Sequence, residues 1–227
     1  MAIATDRRAL DTLGKPQDLV RTSEHLSNIG SPYAAVGASG VFYLIGSLGH
    51  HERLRETGVL GIEAIADTAV VVEALKLATN RDRPNQDAGK GNFWPHGTRG
   101  YPSGTSFPSM HSAGSWALAG VIAGEYRQPA VKILAYGLAT TVSATRLMGR
   151  KHFPSDVLVG GTVGFLIGRY VLRQHAVAGR DEVAYTILPY TDASTRSYGL
   201  TVAFEPASLR PAALERSFHS LASRLGK

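Results

Sequence analysis

The stretch RLMGRKHFPSD, residues 146–156, places Arg146, Arg150, Lys151, His152 and Asp156 between two long apolar runs. Pro154 suits the first position of a helix, which puts Asp156 in its first turn, where a carboxylate can reach back. A carboxylate on one imidazole nitrogen fixes the tautomer and leaves the other nitrogen as a nucleophile. The same residues would also make an ordinary salt-bridged turn between helices. Two upstream clusters raise similar questions. In KLATNRDRP (76–84), Lys76 and Arg83 are seven apart, so a helix places them on one face. Two cations on one face need an anion, and Glu73 or Asp82 would serve as well as a ligand. SFPSMHS (106–112) opens an apolar helix, where unpaired N–H groups and the helix dipole favour an anion. Ser109 adds a hydroxyl donor, and His111 can move a proton near neutral pH. Plain capping by Ser106 or Ser109, with His111 on the surface, is the alternative. The neighbouring YPSGTS (101–106) has no histidine and reads as a turn.

Taken in order, Lys-x6-Arg-Pro, Pro-Ser-x-His and Arg-x5-His-x3-Asp resemble the type 2 phosphatidic acid phosphatase superfamily. That superfamily also holds bacterial acid phosphatases and vanadium haloperoxidases. The resemblance spans about residues 35–175. Two positions depart from the family pattern: Met110 stands where glycine is usual, and Thr145 where serine usually precedes the arginine. The resemblance implies that Lys76, Arg83 and Arg146 neutralise phosphoryl oxygens, with Ser109 and the Met110 amide completing the cradle. It implies that His152 attacks phosphorus, Asp156 orients His152, and His111 protonates the leaving oxygen. The implied activity is a phosphomonoesterase or diphosphatase working through phosphohistidine without a metal. Lipid phosphates, isoprenoid diphosphates and small soluble esters are all substrates of such enzymes. Vanadate would act as an inhibitor. In a rival reading it is the prosthetic group of a haloperoxidase built on the same residues. A second rival is a non-catalytic binder of anions or lipid headgroups.

The elements that must hold these residues are helices. Apolar runs at helical spacing predict them over 31–49, 59–78, about 109–126, 129–148 and 155–175, with a short helix after Pro16. The fold expected is all-α, a bundle of about six core helices. Residues 1–178 would form the phosphatase-like domain. Residues 179–227 would add a β-hairpin over 182–204 and a basic amphipathic tail over 207–226. The Gly- and Pro-rich span 85–107 reads as a loop at the site entrance, with Phe93, Trp94 and Tyr101 packing it down and His96 and Arg99 exposed.

Composition narrows the field further. Hydrophobic residues make up 44% of the chain, enough for a packed core. Net charge is +6, which favours anionic partners, but the basic residues form no stripe and only 8% of residues are aromatic. Nucleic acid is therefore not expected as a partner. Without cysteine there is no disulfide, thiolate metal site or Cys nucleophile, and no metal site is expected. The mean hydropathy of −0.05 favours a soluble or peripheral bundle, although the uncharged run 31–49 is long enough to contact a membrane. The first 20 residues lack an apolar core of signal-peptide length. The expected location is the bacterial periplasm or a membrane surface, with any signal segment missing from this chain. Homo-oligomerisation is left open.

Overall fold

Proline and polar punctuation set most helix boundaries in a computed structural model of the chain, which describes residues 2–12, 31–85, 90–95, 105–178, 184–192 and 197–205. Six helices appear among the described residues: α1 (Ala2–Thr12), α2 (Pro32–Leu48), α3 (Glu52–Thr79), α4 (Met110–Glu125), α5 (Pro129–Met148) and α6 (Pro154–Ala178). Pro32, Pro129 and Pro154 each open a helix, where a missing N–H costs nothing. Ser31 caps α2 by accepting from the Ala34 N–H at 3.2 Å. Asn80 ends α3 in the left-handed region, φ 39°.

The expected helices are present, with one boundary moved. α3 begins at Glu52, well before residue 59. Its first turns are polar and carry an Arg55–Glu52 ion pair at 2.6 Å, so no apolar pattern marks them. Helix α1 was not anticipated. The helix expected after Pro16 and the tail 207–226 lie outside the described residues.

Helix α2 runs back along α3, and α4 packs against both α3 and α5. Leu60 and Ala64 of α3, Ala117 and Val121 of α4, and Val171 of α6 share one core cluster. Ala119, Ala135 and Ala139 join α4 to α5 in a second, flanked by Trp116 and Tyr136. The contact between α6 and α4 is closer than side chains allow. Gly160, Gly164 and Gly168, four residues apart, face the backbone of Ser109, Ala113 and Ala117. A Cβ on Gly164 would lie 1.9 Å from the Ala113 carbonyl oxygen. Such small-residue rows let helix backbones touch. Gly164→Ala is therefore expected to lower the unfolding midpoint, at a cost of about 3 kcal/mol from overpacking. Gly137, with nothing within 4 Å of its Cβ position, is the control: Gly137→Ala should raise the midpoint or leave it unchanged. Equal midpoints for the two variants would refute the close-contact reading.

Residues Arg173–Lys227 cluster as a second unit. Within it β1 (Ala184–Asp192) and β2 (Ser197–Glu205) pair antiparallel, with Ala184 opposite Glu205 and Asp192 opposite Ser197. In the unit Met1–Leu172, the described residues are helical apart from loops and one isolated bridge, Arg81 to Phe93.

Candidate active site

The C-terminus of α3 and the N-termini of α4 and α6 meet at one end of the bundle. The Ser109 N–H donates to the Asp156 carbonyl at 2.9 Å, which joins the start of α4 to the first turn of α6. The Thr79 hydroxyl donates to the Phe107 carbonyl at 3.1 Å, which joins α3 to the segment before α4. After Asn80 the chain folds back on itself. Asp82 N–H donates to the Asn92 carbonyl, and Trp94 N–H to the Asn80 carbonyl. The Ser106 N–H donates to the Arg81 carbonyl at 3.0 Å. These backbone bonds place Ser106 beside the turn between α5 and α6.

His152 and Asp156 are both buried there. The His152 Nδ1 lies 2.7 Å from the Ser106 carbonyl oxygen. A carbonyl only accepts, so Nδ1 carries the proton and Nε2 carries the lone pair. The Asp156 carboxylate is 3.7 Å from the same Nδ1, beyond hydrogen-bond reach. The direct Asp156–His152 bond expected from spacing is thus replaced: a backbone carbonyl fixes the tautomer, and the carboxylate acts at one remove. Asp156 Oδ2 instead accepts from the Ser106 hydroxyl at 2.5 Å and from the Phe153 N–H at 2.8 Å. Burial holds the His152 imidazole below its ordinary range, although Asp156 pulls the other way. Ser106 contributes through both its carbonyl and its hydroxyl. Its place at the end of the turn-like YPSGTS gave no sign of either contact.

The cations of the other motifs converge on these histidines. Lys76, Arg83, Arg146 and His152 all lie within electrostatic reach of His111, and Arg83 and Arg146 within reach of His152. His111 is half-buried in the first turn of α4, not on the surface. Met110 and His111 occupy the first two positions of α4, where backbone N–H groups have no partner within the helix. Ser109 is fully buried and accepts from the Ser112 N–H at a long 3.5 Å, so it caps the helix only weakly. Arg83 donates from Nε to the Thr105 hydroxyl at 3.1 Å. Burial holds its guanidinium below the ordinary arginine range, which an arriving anion would reverse. Lys76 does pair with Glu73, at 2.6 Å, as the structural alternative allowed. A ligand phosphate would compete with that exposed carboxylate for the ammonium.

The entrance residues sort themselves by packing. Phe93 meets Phe107 edge-on at 6.0 Å, and the Trp94 indole donates to the Ala78 carbonyl at 3.0 Å. Both therefore help close the loop. Tyr101, His96 and Arg99 lie outside the described residues. Arg150, which spacing gave no role, reaches α1: it approaches the Leu10 carbonyl and the Asp11 carboxylate, each at 3.4 Å.

A family model, PAP2 superfamily, matches residues 58–180, more than half of the chain. The chain belongs to the PAP2 superfamily. Its match covers α3 from residue 58 onward, α4, α5, α6 and every motif residue above, and leaves out α1 and α2. Among curated PAP2 relatives, lipid A 1-phosphatase of Porphyromonas gingivalis is 35% identical over 104 residues, 44% of this chain. The match spans only 22% of that enzyme's length. Decaprenylphosphoryl-5-phosphoribose phosphatase of Mycobacterium tuberculosis is 30% identical over 131 residues, 58% of this chain and 68% of the relative. The fold matches the crystal structure of a transmembrane PAP2 type phosphatidylglycerolphosphate phosphatase from Bacillus subtilis. The TM-score is 0.61 at 19% identity, over 79% of this chain and 88% of that one. This likeness shows an all-α, PAP2-like fold.

Proposed function

We propose that this PAP2 protein is a phosphoric ester hydrolase that acts on a membrane lipid phosphate through a phosphohistidine at His152. The observation that carries the reading is a buried imidazole whose Nδ1–H faces the Ser106 carbonyl, leaving Nε2 the lone pair, with Arg83 and Arg146 in reach of it and Lys76 in reach of the neighbouring His111. Planar guanidinium groups match phosphoryl oxygens in pairs. The Met110 amide and the Ser109 hydroxyl add donors at the helix start. The His152 Nε2 attacks phosphorus in line as the ester P–O bond breaks. His111 gives its proton to the leaving oxygen. Water then attacks the phosphohistidine, returns a proton to His111 and releases phosphate. Positioning and charge neutralisation supply most of the catalysis, and the chain's own cations provide both.

The lipid part of the reading rests on the surface. Large apolar side chains stand exposed along four helices, among them Leu44 on α2, Val70 on α3, Ile133 and Leu138 on α5, and Leu158 and Leu166 on α6. Val70 and Ile133 are 72% and 73% exposed. Exposed apolar side chains repeated along four helices fit an apolar surrounding. Helix α2 carries no charge, and α6 is long and apolar enough to cross a membrane. These observations favour a bundle embedded in lipid over the soluble bundle suggested by mean hydropathy. The relatives named above act on lipid-linked phosphates by their own names.

Two measurements test the proposal together. The protein should pellet with membranes and be released by detergent but not by high salt. Recovery in the soluble fraction without detergent would remove the membrane reading. Against a panel of lipid phosphates, an isoprenoid diphosphate and p-nitrophenyl phosphate, with a His152 variant as blank, kcat/KM should be highest for a lipid. A soluble ester preferred over every lipid would overturn the substrate class.

A further inference from the structure

The N-terminal helix α1 lies outside the matched family region, yet one of its side chains is buried in the site. Asp6 is 2% exposed. Its Oδ1 accepts from the Ser155 N–H at 2.9 Å, and its Oδ2 accepts from the Ser155 hydroxyl and from Arg81 Nη2, the latter at 2.9 Å. Ser155 is the second residue of α6, so Asp6 caps the helix that carries Asp156 from 149 residues away. Arg81 is equally buried. It donates from Nη1 to the Ser155 hydroxyl at 2.8 Å and to Asp156 Oδ1 at 2.6 Å, and from Nε to the Gly91 carbonyl at 3.1 Å. Phe153 and Phe93 stack against its guanidinium, with ring centroids at 4.2 Å and 5.0 Å.

Arg81 is thus not a phosphate ligand, because its fork is spent on protein acceptors. It binds one oxygen of Asp156. The other oxygen is left for Ser106, the Phe153 N–H and the side facing His152. We infer that Asp6 and Arg81 are positioning residues: Asp6 anchors Arg81 and the start of α6, Arg81 holds Asp156, and Asp156 with Ser106 sets the orientation of His152. Buried charges of this kind depend on each partner, since removing one leaves the others desolvated and unpaired. The contact at the other end of α1 is weaker: Arg150 approaches the Leu10 carbonyl and the exposed Asp11 carboxylate only at 3.4 Å.

The catalytic part of this inference rests on the phosphatase reading, so the test separates the two. Steady-state kinetics on the preferred phosphate ester would compare full-length wild type, Asp6→Asn, Asp6→Glu and Asp11→Asn. Asp6→Asn is expected to lower kcat about 10- to 100-fold, the usual scale for groups supporting a site residue, with KM changed less than about twofold. Asp6→Glu, which keeps the charge, should recover most of the loss. Asp11→Asn should match wild type. In parallel, ¹⁵N-imidazole NMR should show His152 losing its single Nδ1–H tautomer in Asp6→Asn. Wild-type kcat in Asp6→Asn, or an unchanged His152 spectrum, overturns the inference. So does a loss that Asp6→Glu shares in full and that tracks a lowered unfolding midpoint, because Asp6 would then serve the fold alone. Absence of turnover by wild type itself would refute the phosphatase reading instead, and the NMR comparison would still decide whether Asp6 governs His152.

Discussion

His152→Ala is expected to lower kcat on a phosphate ester by roughly 10⁴-fold, the scale seen when a nucleophilic constellation loses a member. The expectation follows from the tautomer. The Ser106 carbonyl holds the Nδ1 proton, so Nε2 is the one ring atom left to attack. Alanine removes that atom and leaves the cations in place, so phosphate should still bind and KM should change little. Rapid quenching of the wild type with labelled substrate should trap phosphate on the protein in an acid-labile form. The variant should trap none. The acidic limb of kcat/KM offers a second check. Burial keeps the His152 pKa below the ordinary imidazole value, and the protonated ring cannot attack. The limb should therefore fall below about pH 6.5, the unperturbed value. Activity of His152→Ala near wild type, or labelled phosphate on the variant, would exclude this nucleophile.

Much of this site is written in the chain itself, but unevenly. Lys76, Arg83, His111, Arg146, His152 and Asp156 were picked out by the order of three motifs and the family that order resembles; helical spacing alone did not place them, since α3 ends at Thr79, before Arg83, and His152 sits in the turn before α6. The five core helices were legible from apolar periodicity, and Pro129 and Pro154 marked the starts of two of them. What the sequence hid depends on partners far away along the chain. Asp6 sits in a polar, charged helix, ATDRRALDT, that looks like solvated surface. Nothing local shows that Ser155 and Arg81 will receive it. Arg81 was masked by Arg83 two residues on, which matched the motif, and Ser106 closed what looked like an ordinary turn. The Gly160, Gly164 and Gly168 row was readable as four-residue spacing of small residues, although its partner backbone was not. Mean hydropathy does not report where apolar residues stand. It averages the apolar helices with the polar residues that lie outside them, so a side chain such as Val70, exposed and apolar, is cancelled by a charge elsewhere.

His111→Ala separates proton transfer from attack, because its effect should depend on the leaving group. General acid catalysis contributes typically 10²- to 10⁴-fold, and most where the departing oxygen is a poor leaving group. A lipid phosphate releases an alkoxide, which needs a proton as the P–O bond breaks. p-Nitrophenyl phosphate releases a stabilised phenolate, which needs none. The variant should therefore lose roughly 10³-fold in kcat on the lipid ester and less than about tenfold on the nitrophenyl ester. The geometry supports this division of labour. His111 stands in the first turn of α4, within electrostatic reach of Lys76, Arg83 and Arg146. Burial first, and then these cations, hold the free His111 imidazole well below its ordinary range; a phosphate dianion seated among the cations offsets their part and moves it back toward the protonated form. His152 is not suited to the acid's role, since with Nδ1–H held by Ser106 its Nε2 is the atom that attacks phosphorus. Equal losses on both esters would show that His111 binds phosphate or shapes the site without donating the proton. No loss on either would assign the proton to another group.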